Sequence, residues 1–181
     1  MNINGSKILS ELTEVNNQLN TSDIYKLIDL IDISNHIYLT GAGRSGLMIR
    51  SFANRLLHLG YNISVVGEIS SPPHTHPGDL LLISSGSGET KSLISQAEIA
   101  KQNGLKVALI TTSSISSLAK LADIVLLIPV QSKDTNGETI QPMGTLFEQY
   151  TLILYDSIVL NIMGLKNQTN ETMKARHANL E

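Results

Sequence analysis

One stretch near the middle of the chain constrains the fold more than any other. An uninterrupted apolar run, 80–83, passes directly into the hydroxyl- and glycine-rich segment 84–90. Four consecutive apolar residues are typical of a strand that is buried on both faces of a parallel sheet. The helical pattern that begins near Glu89 places the polar segment at a helix N-terminus, where backbone N–H groups and the helix dipole attract an anion. The sequence therefore predicts an anion-binding loop at the carboxyl end of a central parallel strand.

The residue types in this loop indicate which anion it would take. Ser85, Ser87 and Thr90 supply hydroxyl donors, while Gly86 and Gly88 allow the backbone to close on a ligand. A helix cap alone would need only one of these hydroxyls. No lysine stands where a P-loop requires one, which disfavours a nucleoside triphosphate. We therefore expect a small phosphorylated metabolite.

Strand-like and helix-like segments alternate along the chain. Two amphipathic helices are predicted at about 3–20 and from 21 onward. The predicted strands are 36–40, 63–66, 80–84, 107–111 and 124–128, and the predicted later helices are 47–58, 89–102, 115–120 and 145–163. This alternation predicts a single α/β domain over 1–181, with a five-stranded parallel sheet flanked by helices on both faces. A helical hairpin over 1–33 would precede the sheet, and a polar tail over 165–181 would follow it.

Composition narrows the classes of function. At 181 residues and 41% hydrophobic content the chain fits one domain with a full core. An aromatic content of 4%, no Trp and a net charge of −3 disfavour a nucleic-acid partner. The absence of Cys excludes disulfides and thiolate chemistry. Without a signal-like segment or a run of roughly 18 apolar residues, we expect a cytoplasmic protein with no membrane partner.

A second glycine-rich segment, 41–46, follows the first predicted strand. It has the form G-x-G-x-x-G, and Glu68 lies about where a ribose-binding acid would stand, so a dinucleotide site is one interpretation. Arg44 and Ser45, however, place a charge and a hydroxyl where a pyrophosphate usually meets bare backbone. Because ligands of parallel sheets bind beyond the carboxyl ends of the strands, we expect this segment and 84–90 to face the same crevice.

Glu148 is the candidate acid or base. The tetrapeptide 145–148 fits a capping box, in which Glu148 would accept a hydrogen bond from the Thr145 amide. The same carboxylate, at the start of an otherwise apolar helix, would also suit a general base. From the residues alone both interpretations stay open.

Histidines provide two further candidates. His177 lies in the polar tail, where a solvated side chain is the default interpretation. His74 and His76 have H-x-H spacing, but no third acidic or histidine ligand is evident for them. We therefore expect no metal site.

Together these motifs resemble those of the sugar isomerase (SIS) domain family. The segment 85–90 (SGSGET) is similar to the family's Ser/Thr-rich phosphosugar loop, and 41–46 (GAGRSG) is similar to its first loop. The block 141–148 (QPMGTLFE) and the terminus 173–181 (MKARHANLE) resemble a branch that isomerises hexulose 6-phosphates. The resemblance covers essentially the whole chain and implies the same five-stranded parallel sheet.

The resemblance implies interconversion of D-arabino-hex-3-ulose 6-phosphate and D-fructose 6-phosphate through an enediolate, in the ribulose monophosphate route of formaldehyde fixation and detoxification. It favours Glu148 as the catalytic acid and base, with His177 as a second catalytic residue in its own or a neighbouring subunit. The implied substrate-binding residues are Gly43, Arg44, Ser45, Ser85, Gly86, Ser87, Gly88, Glu89 and Thr90.

The resemblance also implies which partners the chain has. The substrate would be a small phosphosugar, with no cofactor and no metal ion, and the chain would form a homotetramer. A non-catalytic phosphosugar-binding module and a dinucleotide-binding protein are the alternative functions.

Overall fold

Five parallel strands form the centre of the structure, a computed structural model that describes residues 3–73, 78–130 and 139–179. The order across the sheet is β2-β1-β3-β4-β5, and every neighbouring pair is parallel. The strands are β1 (Ile37–Gly41), β2 (Ile63–Val65), β3 (Leu80–Ser84), β4 (Lys106–Thr111) and β5 (Ile124–Leu127). The predicted α/β fold with a five-stranded parallel sheet is confirmed.

Six of the helices follow the predicted order, and a seventh lies in the C-terminal tail, for which no helix was predicted. They are α1 (Gly5–Gln18), α2 (Thr21–Ile33), α3 (Gly43–Leu59), α4 (Lys91–Gln102), α5 (Ser117–Leu121), α6 (Thr145–Leu165) and α7 (Asn170–Lys174). Gly164 does not end α6 as expected, and the helix continues to Leu165. One glycine costs a helix only about 1 kcal/mol, and burial of the nearby Ile162 stabilises this last part of α6. None of the helices in the described parts of the chain combines the length and the apolar character needed to cross a bilayer.

The first glycine-rich segment is helical sooner than predicted. Residues 43–46, expected to form a loop, make the first turn of α3, in which the Gly46 amide donates to the Ala42 carbonyl at 3.2 Å. A Cβ atom on Gly46 would lie 2.6 Å from the carbonyl oxygen of Gly41. The absence of a side chain at Gly46 therefore lets α3 start directly against the end of β1.

Successive residues of the inner strands point into two separate cores. Leu80 and Leu82 join the core beneath α1, α2, α3 and α6, whereas Leu81 and Ile83 join the core beneath α4 and α5. Because both faces of β3 are covered by helices, its sequence is apolar without alternation. This explains why the run 80–83 is the strongest signal for the fold.

The strand order determines where a ligand can enter. The chain places β2 on one side of β1 and β3 on the other, so the direction of winding reverses between β1 and β3. The connections that follow those two strands lead to helices on opposite faces of the sheet, and this leaves a crevice between them, which is where open parallel sheets bind ligands. Both glycine-rich segments follow these two strands.

Helices α3 and α6 lie side by side and run in the same direction. Arg44 at the start of α3 contacts Glu148 at the start of α6, and the rings of Phe52 and Tyr155 stack further along, 4.7 Å apart. The amino ends of both helices therefore meet at the crevice, where their dipoles favour a bound anion.

Candidate active site

A cleft opens at the carboxyl ends of β1 and β3, at the switch point of the sheet. Both glycine-rich segments face it, as the sequence predicted, and the start of α6 closes one side. The lining residues are Ala42, Gly43, Arg44, Ser45, Ser84, Ser85, Gly86, Ser87, Thr90, Thr112, Met143, Gly144, Phe147 and Glu148.

The serines of the second segment are held in place by the loop's own amides. Ser85 Oγ accepts a hydrogen bond from the Gly88 amide at 3.2 Å, and Ser87 Oγ accepts one from the Glu89 amide at 3.3 Å. A hydroxyl that accepts one hydrogen bond still has its own hydrogen to donate. Thr90, the N-cap residue of α4, makes no capping hydrogen bond with its side chain. Three hydroxyls of this segment can thus serve a ligand anion.

The end of β4 fixes the backbone of the same segment. The Gly86 carbonyl accepts hydrogen bonds from the Thr112 amide, from Thr112 Oγ1 and from Thr111 Oγ1, at 2.9–3.0 Å. Thr112 also lines the cleft, although the sequence interpretation did not include it. Its position directly after a predicted central strand was the signal that could have found it.

Two predicted substrate-binding residues do not line the cleft. Gly88 has φ +68°, and a Cβ there would lie 2.1 Å from Ser116 Oγ, so this glycine is required by packing against α5. The Glu89 carboxylate accepts hydrogen bonds from Ser117 Oγ at 2.7 Å and the Ser117 amide at 2.8 Å, which lower the pKa of Glu89. The Glu89 side chain is bound to the start of α5, and Gly88 has no side chain. Of these two residues, only the backbone could therefore bind the substrate.

The capping-box prediction for Glu148 is wrong. The Thr145 amide and hydroxyl both donate to the Pro142 carbonyl, at 3.1 and 2.6 Å, and the N-cap position is Gly144 in the left-handed region. A local turn thus satisfies the amide that Glu148 was expected to bind. The carboxylate instead accepts a hydrogen bond from Arg44 Nη1 at 2.9 Å at the cleft.

This ion pair has one sheltered and one accessible partner. The Glu148 side chain is 13% exposed and the Arg44 side chain 44%. An unpaired carboxylate in such a sheltered position would be costly, so the guanidinium offsets its desolvation. The cleft thus combines a carboxylate that can carry a proton with a guanidinium that can bind an oxyanion.

His177 is not brought to the cleft of its own chain. Its ring stacks on His58, with the ring centroids 5.2 Å apart, at the far end of α3. Arg44 and His58 stand at opposite ends of that helix, roughly 20 Å apart at 1.5 Å per residue. The structure therefore does not bring His177 to Glu148 within one chain, and the catalytic role of His177 stays a prediction.

The structure also bears on the alternative sites. Glu68, the proposed ribose-binding acid, forms an exposed ion pair with Arg50 at 3.0 Å and does not line the cleft. The acidic residue that a dinucleotide site would need is therefore not at the cleft, which weakens the dinucleotide interpretation. His74 and His76 lie outside the described residues.

The start of α6 contributes cleft residues that the sequence interpretation missed. Met143 has φ 59°, a left-handed conformation that is uncommon for a residue with a side chain, and it is exposed at the rim. Phe147 is buried, and its ring would lie 3.4 Å from a Cβ on Gly86. Met143 falls in the predicted polar loop 129–144 and Phe147 in the predicted apolar helix 145–163, and neither local pattern indicates a contact with the cleft.

The SIS domain family model matches residues 30–154. The chain belongs to the SIS domain family, and the resemblance drawn from its motifs is confirmed. Within that family it is similar to 3-hexulose-6-phosphate isomerase of Bacillus subtilis, with 48% identity over 179 residues, 97% of this chain and 96% of the relative. The protein of that name from Methylomonas aminofaciens is 40% identical, with 96% of each chain covered.

A solved structure shows the same architecture over nearly the full length. The protein of Methanococcus jannaschii, whose crystal structure led to an inferred function of 3-hexulose-6-phosphate isomerase, superposes with a TM-score of 0.82. It is 32% identical, and the match covers 97% of this chain and 96% of that one. The match with this relative therefore extends beyond residues 30–154 in both directions.

Proposed function

We propose that the protein is a 6-phospho-3-hexuloisomerase, which interconverts D-arabino-hex-3-ulose 6-phosphate and D-fructose 6-phosphate. The observation that carries the proposal is the sheltered Glu148 carboxylate, which shares a cleft with a loop of serines suited to phosphate. A module that only binds an anionic sugar needs no carboxylate facing it. Relatives named for this isomerase, at up to 48% identity, support the same reaction. The product would feed the ribulose monophosphate route of formaldehyde fixation and detoxification.

The phosphate end of the substrate would bind at the switch point. Ser85, Ser87 and Thr90 donate from their hydroxyls, and the amino end of α4 adds its dipole. Gly43 and the buried Ser45, at the amino end of α3, contact the phosphate or the sugar hydroxyls. The phosphate thus fixes which carbons lie beside Glu148.

The reaction needs one carbon-bound proton to move between adjacent carbons. Glu148 removes the proton from C2 of the 3-hexulose, which leaves an enediolate across C2 and C3, and returns it to C3. The hydroxyl proton moves from O2 to O3, so the carbonyl ends at C2. Arg44, already 2.9 Å from the carboxylate, is near enough to donate to the enediolate oxygen as negative charge develops there.

The variant Glu148→Gln tests the assignment of the base. The amide keeps the shape of the side chain but cannot accept the carbon-bound proton, so we expect kcat to fall by about 10²- to 10⁴-fold. Binding of fructose 6-phosphate, measured by calorimetry, should stay within about tenfold, since the phosphate contacts are unchanged. The activity readout is conversion of hexulose 6-phosphate to fructose 6-phosphate in a coupled assay.

Glu98→Gln, on the exposed side of α4, is the matched control and should leave kcat unchanged. Near-normal turnover by Glu148→Gln would show that another group is the base. Failure of the wild-type protein to convert the hexulose phosphate at all would refute the isomerase proposal itself.

We also propose that the active enzyme is a homotetramer in which His177 serves a neighbouring cleft. Several large apolar side chains of the outer helices are exposed in the single chain, which favours burial against other copies. They are Leu9, Tyr25, Ile33, Leu47, Leu57, Ile153 and Leu160. His177, itself exposed, would there polarise the carbonyl or transfer the hydroxyl proton.

A further inference from the structure

A carboxylate on α1 binds the segment that leads into α6. Glu11 Oε2 accepts hydrogen bonds from Thr139 Oγ1 at 3.0 Å and Gln141 Nε2 at 2.8 Å, and Glu11 Oε1 accepts one from the Ile140 amide at 2.9 Å. Three successive residues thus converge on one side chain that is 128–130 positions away in sequence. Burial alone would raise the pKa of Glu11, but these hydrogen bonds lower it below its usual value. The arrangement favours the ionised form of Glu11.

Residues 139–141 belong to no helix or strand, so their position depends on such contacts. The Ile140 amide donates to Glu11, and the Gln141 amide donates to Thr139 Oγ1 at 3.1 Å. The Gln141 side chain is buried, with 5% of its surface exposed. Glu11 therefore fixes both the backbone and a buried side chain of this segment.

The anchored segment continues directly into the candidate active site. Pro142 accepts the two hydrogen bonds from Thr145 that start α6, and Met143 and Gly144 line the cleft. One turn later, the Glu148 amide donates to the Gly144 carbonyl at 3.2 Å. A shift of 139–141 would thus move the first turn of α6 and with it the carboxylate of Glu148.

The rest of α1 is tied to the same helix. Tyr150 Oη donates to Asn16 Oδ1 at 3.2 Å, and the buried Val15 packs in the core that contains Tyr150. Helix α1 precedes the 30–154 match to the SIS domain, so the domain's own motifs assign it no role. Helix α1 nevertheless contacts both the first turns of α6 and the segment that leads into them.

We propose that Glu11 is a positioning residue for the isomerase reaction: from outside the cleft it holds 139–141, so that the first turn of α6 presents Glu148 to the substrate. The inference rests on the function proposed above. Glu11 does not line the cleft, so we expect it to act without touching the substrate. Because the phosphate loop belongs to β3 and α4, loss of Glu11 should reduce the chemical step and spare phosphosugar binding.

The test compares Glu11→Ala and Glu11→Gln with a control one turn along α1. Glu14→Gln removes a charge from the same helix, and the Glu14 carboxylate makes no hydrogen bond to any described residue. We expect Glu11→Ala to lower kcat by about tenfold to hundredfold, with KM within about threefold of wild type. The kcat of Glu11→Gln should lie between those of wild type and Glu11→Ala, since the amide oxygen can still accept some of the hydrogen bonds. Glu14→Gln should match wild type.

A second readout does not depend on turnover. Hydrogen–deuterium exchange, followed by mass spectrometry, should become faster in peptides covering 139–148 of Glu11→Ala and stay unchanged in Glu14→Gln. Faster exchange there together with a reduced kcat supports the proposal. A lower unfolding midpoint with unchanged kcat per folded molecule would overturn it, because that result describes a purely structural residue.

The remaining outcomes are also decisive. If Glu11→Ala does not fold, the same two measurements on Glu11→Gln decide. If wild type and Glu14→Gln both lack isomerase activity, the proposed function fails, whereas the exchange data still show whether Glu11 anchors the segment. Unchanged exchange at 139–148 in both Glu11 variants refutes the anchoring itself.

Discussion

Two glycines with similar backbone angles have different reasons to be glycine. Gly88 has φ +68° and Gly104 has φ +79°, both in the left-handed region that side chains disfavour. A Cβ on Gly104 would have no other atom of the described residues within 4 Å, but a Cβ on Gly88 would lie 2.1 Å from Ser116 Oγ. Gly88 therefore carries a packing requirement in addition to the conformational one, and this requirement joins the serine- and glycine-rich loop 84–90 to α5.

This difference predicts unequal costs for the same substitution. Gly104→Ala should lower the free energy of unfolding by about 1 kcal/mol, the cost of placing alanine in the left-handed region. Gly88→Ala adds a steric clash and should cost at least about 2 kcal/mol more, with displacement of the loop and weaker phosphosugar binding. Urea denaturation measures the loss of stability in both variants. Calorimetry with fructose 6-phosphate measures the loss of binding in Gly88→Ala. Equal destabilisation by the two variants would contradict the packing argument.

Between elements, one carboxylate joins α4, β4 and β5. Asp123, just before β5, accepts hydrogen bonds from Lys101 Nζ at 2.9 Å and from the Val107 amide at 2.8 Å, with Lys106 Nζ 3.6 Å away. Its partial burial tends to raise the pKa of Asp123, but the hydrogen bonds from Lys101 and Val107 lower the pKa below 3.8. The ionised form is thus the one that holds the edge of the sheet.

Asp123→Asn should destabilise the fold in a way that depends on pH. Because the folded-state pKa lies below the unfolded value of 3.8, the contribution is fully present above that value. It is lost as pH falls through the folded pKa. At pH 7 we expect a loss of about 1–2 kcal/mol in the free energy of unfolding, and a smaller loss at pH 3. Urea titrations at both pH values measure it.

The control for this prediction is Asp29→Asn, the same change on the exposed side of α2. It should alter stability by less than about 0.5 kcal/mol at either pH. An Asp123→Asn effect of the same size at pH 7 and pH 3 would count against the ionised carboxylate as the stabilising form.

For the whole molecule, the direction of the helices decides what one chain can supply to its site. The amino ends of α3, α4 and α6 converge on the cleft, whereas His177 lies against the opposite end of α3. The cleft of a single chain therefore contains Glu148 and residues of the loop 84–90, but not His177. The proposed tetramer would bring His177 of one copy to the cleft of another.

Mixed oligomers test this arrangement. Glu148→Gln and His177→Ala should each be nearly inactive alone. After unfolding and refolding together, some clefts would combine Glu148 from one chain with His177 from the other, so we expect a recovery of up to about a quarter of wild-type activity. Light scattering gives the oligomeric state. The absence of any recovery in mixed tetramers would argue against a shared site.

Much of the fold was predictable because it depends on local periodicity. The buried run 80–83 predicted a doubly covered strand, and the alternation of strands and helices predicted the parallel sheet. Once those strands were placed, the two glycine-rich segments had to lie at their carboxyl ends. Predicted ends of helices were less accurate: 43–46 form a helical turn and not the predicted loop, since the contact between Gly41 and Gly46 cannot be seen in a local pattern.

The class of fold and the position of the serine- and glycine-rich loop at the end of a central strand follow from residues that are neighbours in the chain, so they could be predicted. The contacts of single side chains depend on the tertiary structure. Arg44 meets Glu148 across 104 residues, Glu89 turns to α5, and Glu11 reaches 139–141. Such contacts depend on how distant helices pack, and a carboxylate or guanidinium takes whichever partner that packing brings within hydrogen-bond distance.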